Sequence, residues 1–212
     1  MEAIPVHIYV DSSGGKVREV GKIVRPICED VLVQHQDQWV QHLADQEDCS
    51  WQWRSWVEED DDLRDGNGCR HYALLRGETA CGLMIARDTS KAPFQAPEND
   101  LEDGVYVEYL AAAPWNRTVK DGVRICETQP RVAPVGKLLM WKAIMLSKHV
   151  GHEGRVSWHS KKDAVDTYMG WFKKSSPTDI HTMDGEDWPY FEISPAEALA
   201  FVSEIAPLVN LG

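Results

Sequence analysis

A single carboxylate interrupts an apolar run in the middle of the chain: residues 105–112 read VYVEYLAA, with Glu108 at the centre. As a strand, this run places Val105, Val107, Tyr109 and Ala111 on one side and Tyr106, Glu108, Leu110 and Ala112 on the other. A carboxylate there is costly to leave unpaired, and burial makes a carboxyl group a better proton acceptor. Glu108 is therefore a candidate general base for an ammonium nucleophile. Pairing with an Arg or a backbone amide, without chemistry, is the competing reading.

A second chemical feature follows. Residues 131–151, RVAPVGKLLMWKAIMLSKHVG, read as a loop running through Pro134 and Gly136 into a long apolar helix. The first turn of a helix carries N–H groups without intrahelical partners and a partial positive charge, and both suit a phosphate. Pro134 supplies no N–H, but the remaining amides and Lys137 can hold an anion. An ordinary Pro-containing helix start has the same sequence. The loop gains weight from its place after the strand, because nucleotide-like ligands settle where strand ends open into such loops.

Positioning these groups requires a sheet. HIYV and VREVGKIVRP predict two short strands joined by a Gly-containing turn. Residues 28–46 predict a helix with Val31, Leu32, His35, Trp39 and Leu43 along one side, and Ser50 is placed to cap a second. The second helix carries Trp51, Trp53 and Trp56, which either pack a core or lid or wall a ligand. RHYALLRGETACGLMIARD reads as a hairpin turning at Arg76-Gly77-Glu78, followed by a polar loop over 90–103. After the long helix come the strand GRVSWHS and the helix KKDAVDTYMGWFKKS, with Ala164, Tyr168 and Trp171 or Phe172 inward. DIHTM and YFEIS are further strands, and a last helix begins at Pro195. This order predicts an α/β fold: a mixed, mostly antiparallel sheet flanked by helices on both faces.

The stretch from Arg70 to Ile193 resembles the GNAT acetyltransferase superfamily, on the strength of VEYLAAAPWNR, the loop after it, WHSKKDAVDTYMGWF and YFEIS. The family's loop has a Gln or Arg, two residues, a Gly, one residue, then a Gly or Ala. Here Arg131-Val132-Ala133-Pro134-Val135-Gly136 keeps the first and last of these and puts Pro134 at the first Gly. The resemblance implies a GNAT-like fold with acetyl-CoA as cosubstrate. It assigns Arg131, Val132, Ala133, Val135, Gly136 and Lys137 to the cofactor's phosphates, and the backbone of Leu110, Ala111 and Ala112 to pantetheine between two splayed strands. It also implies direct attack of an amine on the thioester, with no covalent enzyme intermediate, and Tyr168 as proton donor to the departing thiolate. A core Tyr on an amphipathic helix is the competing reading of Tyr168, and His159 reads as packing or a structural hydrogen bond. The segment 118–130 is longer than the family's usual turn.

Composition narrows the partners. The 212 residues suit one domain over 1–212, with residues 28–62 as a helical acceptor-side or lid region. A formal charge of −12 repels phosphodiester backbones and attracts cations, which disfavours nucleic acid and favours an amine. No apolar run approaches the roughly 20 residues of a membrane span, and the N-terminus lacks a secretory pattern. Five scattered cysteines without a CxxC pair point to reduced thiols in a cytoplasm, and His149 and His152 lie in no metal-ligand pattern. The expectation is an acetyl-CoA-dependent N-acetyltransferase acting on a primary amine of a small molecule or protein, with no metal and with a homodimer left open. The alternatives are a GNAT-derived binding or regulatory module without turnover, and an aminoacyl-tRNA-acetylating toxin using Lys161, Lys162, Lys173 and Lys174.

Overall fold

Two stripes of apolar residues, one on each side of the same strands, dictate a sheet covered on both faces. The computed structural model describes residues 2–43, 47–62, 68–90, 103–117, 125–183 and 185–209. Its elements in chain order are β1 (Glu2–Ser12), β2 (Gly15–Arg25), α1 (Glu29–Gln34), α2 (Trp53–Asp62), β3 (Cys69–Arg76), β4 (Thr79–Asp88) and β5 (Val105–Ala112). There follow β6 (Val132–Ala133), α3 (Val135–His149), β7 (Val156–His159), α4 (Val165–Phe172), β8 (Asp179–Met183), β9 (Glu186–Ile193) and α5 (Pro195–Val209). The strands form one sheet in the order β6-β1-β2-β3-β4-β5-β7-β9-β8. Every pairing is antiparallel except β5 with β7, which is parallel and bridged by α3.

One face packs Ile8, Ile23, Leu74, Met84 and Val107 against Leu139 and Ile144 of α3 and Phe201 of α5. The other packs Val24, Ala73, Leu83 and Ile85 against Leu32, Trp39 and Trp53. Some elements differ from the expectation. The first hairpin is longer than two short strands, because polar residues keep pairing as far as the turn, where Ser12 Oγ donates to the Gly15 carbonyl at 2.6 Å and Gly15 takes φ +115°. The helix expected over 28–46 is α1 followed by a π turn at His35–Trp39 and a 3-10 turn at Val40–His42; residues 44–46 lie outside the described residues. His35 and Trp39 are both seated in the core. Ser50 ends a 3-10 turn, and α2 starts at Trp53.

Two bulges shape the centre of the sheet. Pairing of β4 with β5 skips Glu108: Ile85 faces Tyr109 and Ala86 faces Val107. The extra residue reverses the alternation. Val105 and Val107 therefore share a face with Leu110 and Ala112, whereas Tyr109 and Ala111 face the Trp-rich side. Strict alternation along 105–112 is thus corrected: Glu108 sits at the switch and joins neither row. A second bulge, at Cys81 in β4, leaves the Cys81 carbonyl to accept from the Ala113 N–H at 2.9 Å and Asn116 Nδ2 at 3.0 Å.

The parallel pairing of β5 with β7 covers Val105, Val107 and the residue between them, after which the strands separate while β5 runs on to Ala112. The start of α3 is pressed against β4 opposite this gap. A Cβ on Gly82 would lie 2.4 Å from Val135 Cγ1 and 3.0 Å from Leu139 Cδ1, so only glycine allows this approach. Gly82→Ala should push the first turn of α3 outward and cost about 1–3 kcal/mol. Urea unfolding measures this, and an unchanged midpoint would show that the approach has slack.

Candidate active site

Where β5 and β7 part, two cavities meet. One, of about 510 Å³, is lined by Leu110, Ala111, Ala112, Asn116, Arg117 and Arg131 to Lys137 among others. The other, of about 410 Å³, is lined by Tyr106, Glu108, Tyr109, Trp158, His159 and Trp188 among others. Trp51, Leu110, Lys161, Ala164 and Tyr168 border both. All nine residues assigned to a cofactor on sequence grounds line the larger cavity. Glu108 lines the smaller one, and Tyr168 stands between them.

The larger cavity has the character of an anion site at one end. Helix α3 begins at Val135 with Pro134 as N-cap, and its first ladder bond runs from the Leu138 N–H to the Pro134 carbonyl at 3.2 Å. Helical geometry leaves the N–H groups of Val135, Gly136 and Lys137 without intrahelical acceptors. The N–H that proline lacks belongs to the cap, so these three donors survive the substitution of Pro134 for the family's Gly. Arg131 lines the same cavity, and its Nε is buried without a partner, a cost that an anion paired with it would remove. The Lys137 ammonium is ion-paired with Glu204 on α5. Gly136 is required for a reason other than phosphate approach: a Cβ there would lie 2.6 Å from Trp171 Cη2.

Three residues outside the sequence-based site hold this cavity in shape. Asn116 Oδ1 accepts the Val132 N–H at 2.7 Å while its Nδ2 binds the Cys81 carbonyl, tying the loop to the β4 bulge. Arg117 donates from Nε to the Ala112 carbonyl and forks onto Asp48, with Nη1 to Oδ1 at 2.9 Å. Asp48 is 3% exposed and also lies 3.5 Å from Lys161 Nζ, whose ammonium sits 4.8 Å from the Trp51 ring centre. Burial alone would raise the Asp48 carboxyl, but the hydrogen bonds and charge of Arg117, with Lys161, outweigh it and hold the group below its ordinary 3.8. The pairing is legible in the sequence only as a lone Asp before the Trp cluster and an Arg after PWN.

The smaller cavity has mainly aromatic walls. Tyr109 stacks on Trp56 at 3.8 Å between ring centres and meets Trp51 edge-on at 5.0 Å. Across from it Trp158 stacks on Phe191 at 5.3 Å and tilts against Tyr168 at 5.1 Å. Glu108 is half-buried and ion-paired with Arg87 of β4, so its setting is the paired one and not the apolar isolation read from its strand. Tyr106 and His159 share a hydrogen bond of 2.7 Å, and His159 Nε2 lies 2.9 Å from His181 Nδ1. Burial and the neighbouring His181 push His159 down to about 4, so it is neutral at pH 7. Tyr168 is buried, and burial raises its phenol to about 12, so it is a donor across the physiological range.

This architecture is similar to that of solved structures described as GNAT-type acetyltransferases. An acetyltransferase of the GNAT family from Desulfovibrio desulfuricans superimposes with a TM-score of 0.52 at 10% identity, covering 82% of this chain and 99% of its own. A structure of histone acetyltransferase HPA2 and related acetyltransferase from Corynebacterium glutamicum gives 0.50 at 10% identity, covering 80% and 93%. No protein-family profile matches the chain, and no curated protein matches it in sequence. The chain has the GNAT fold, a mixed sheet flanked by helices.

The buried ion pair makes a stability prediction. Asp48→Asn leaves Arg117 and Lys161 without their carboxylate and should cost about 3–5 kcal/mol at pH 7. Because the native carboxyl titrates below its unfolded value, the contribution of Asp48 is complete well above pH 4 and is lost as pH falls through the native value. The gap between wild type and Asp48→Asn should therefore shrink in urea melts below pH 4. A gap that stayed constant there would mean that the charge of Asp48 is irrelevant.

Proposed function

We propose that this protein is an acetyl-CoA-dependent N-acetyltransferase that acylates a primary amine by direct attack on the thioester. The observation that carries this reading is the pair of cavities that share Tyr168 in their walls in the gap between β5 and β7, the larger one lined by the first turn of α3 and by Arg131. Val135, Gly136 and Lys137 would hold the cofactor's phosphates by their backbone N–H groups, with Arg131 Nε as a further donor. Acetyl-CoA supplies an acyl group already activated as a thioester, so no Ser or Cys nucleophile is needed. No helix among the described residues is long and apolar enough to cross a membrane.

In this reading Glu108, held by Arg87, receives the proton that the amine sheds, and the open edge of β5 offers backbone N–H groups to the carbonyl oxygen. Tyr168 directs its hydroxyl toward the departing sulfur. Burial raises the Tyr168 phenol well above an ordinary thiol, which disfavours complete proton transfer. Tyr168 therefore acts as a hydrogen-bond donor to developing charge and not as a strong acid. The segment 28–62 borders the joint through Trp51 and serves as the acceptor-side wall. The tRNA reading loses support, since Lys161 and Lys174 of its basic patch are engaged by Asp48 and Glu197.

Two experiments test the proposal. Acetyl-CoA at 100 times its Kd should stabilise the fold by roughly 2.7 kcal/mol and raise the Tm by about 5–10 °C. Arg131→Gln should weaken that shift. It is a cleaner probe than Gly136→Asp, because any side chain at 136 meets Trp171. Absence of a shift in the wild type would end the cofactor assignment, and a shift without turnover on any amine would leave a CoA-binding module. For the chemistry, Tyr168→Phe should lower kcat about 10²–10³-fold with the acetyl-CoA shift intact. Glu108→Gln should lower it about 10²-fold or more in a folded protein. Full activity of either variant would remove that residue from the mechanism, and His159 would replace Glu108 as the candidate acceptor of the proton.

A further inference from the structure

The smaller cavity also carries information about what it accepts. Its lining includes Trp51, Tyr106, Tyr109, Trp158, Tyr168 and Trp188. Several of these rings are braced from behind: Tyr109 by Trp56 and Trp53, Trp158 by Phe191 and Phe172. Braced rings offer flat apolar surface whose ordering is complete before a ligand arrives. The volume of about 410 Å³ is that of a small-molecule site.

Charge in the cavity is sparse. Glu108 is the one carboxylate among the described lining residues, and it is already engaged by Arg87. The one ammonium there, Lys161, is held at the joint by Asp48 and Trp51. His159 adds no charge at neutral pH. A second ammonium on the acceptor would meet aromatic walls and a resident cation instead of a carboxylate, and a desolvated unpaired charge is costly.

Taking the acyl-transfer reading as its basis, we propose that the acceptor is a primary monoamine bearing an aromatic or similarly flat apolar body, and not a polyamine or a lysine side chain of a protein. The amine sits by Glu108 within the smaller cavity, and the apolar body lies between the Trp51–Tyr109 wall and Trp188. The acidic surface still draws this singly charged acceptor toward the protein.

The test is calorimetric titration of phenethylamine, hexylamine and spermidine into the protein, with and without saturating CoA, together with kcat/KM for the same amines and acetyl-CoA. Phenethylamine should bind about tenfold tighter than spermidine and several-fold tighter than hexylamine, with kcat/KM in the same order. Trp188→Ala should narrow the margin over hexylamine, and Trp188→Phe should retain most of it. Aromatic faces also attract cations. If that attraction dominates, spermidine will bind as tightly as phenethylamine, and the proposal is overturned. Absence of binding by all three amines overturns it equally. Failure of the acyl-transfer reading has its own signature, no CoA-induced stabilisation and no acetylated product. A thermal shift with CoA combined with spermidine as the preferred acceptor would remove this inference alone.

Discussion

The site depends on β5 leaving its parallel neighbour. Strands in a sheet satisfy their backbone groups by pairing, and a central strand that stops pairing exposes donors and acceptors that something else must meet. Here β5 is bonded to β7 only as far as Val107, and beyond the bulge Tyr109 to Ala112 keep β4 on one side alone. The bulge at Glu108 occurs where the separation begins. It bends the strand and moves Leu110 and Ala112 onto the α3 side, so that the open edge borders the two cavities. The exposed backbone and the concavity have the same origin.

An open edge would collapse without struts, and they come from distant parts of the chain. Arg117 caps the Ala112 carbonyl at the end of β5 and anchors itself on Asp48, 69 residues earlier. Asn116 joins the β4 bulge to the short strand preceding α3. Gly82 and Gly136 let α3 sit close to β4 and to Trp171. These contacts set the position of the first turn of α3, and with it three free N–H groups, at the end of the gap. The helical segment carrying Asp48 and Trp51 is thereby coupled to the cofactor side of the site through an ion pair as well as through packing.

Local pattern made most of the framework readable from sequence. The hairpin at Gly77, the long helix after Pro134, and the strand and helix around Trp158 and Tyr168 all follow from periodicity and turn chemistry, and the residues assigned to a cofactor do line one cavity. What was not readable depends on pairs far apart in the chain. A bulge is a property of register between two strands, so the reversal at Glu108 leaves no mark in VYVEYLAA itself. Arg87 lies on β4, and nothing local marks it as the partner of Glu108. Glu204 of α5 pairs with Lys137 across 67 residues, and nothing local marks it either. The Trp residues served both readings offered for them: Trp53 is core, whereas Trp51 reaches the cavities.

The most direct test of the central claim, that the gap between β5 and β7 and the start of α3 together receive acetyl-CoA, is amide hydrogen exchange with and without the cofactor. Val135, Gly136 and Lys137 lack intrahelical acceptors, so their amides should exchange fast in the free protein. Binding should slow them by about tenfold or more, together with the amides of Leu110 and Ala112 on the open edge. Protection confined to other elements, or no protection at saturating acetyl-CoA, would contradict the account.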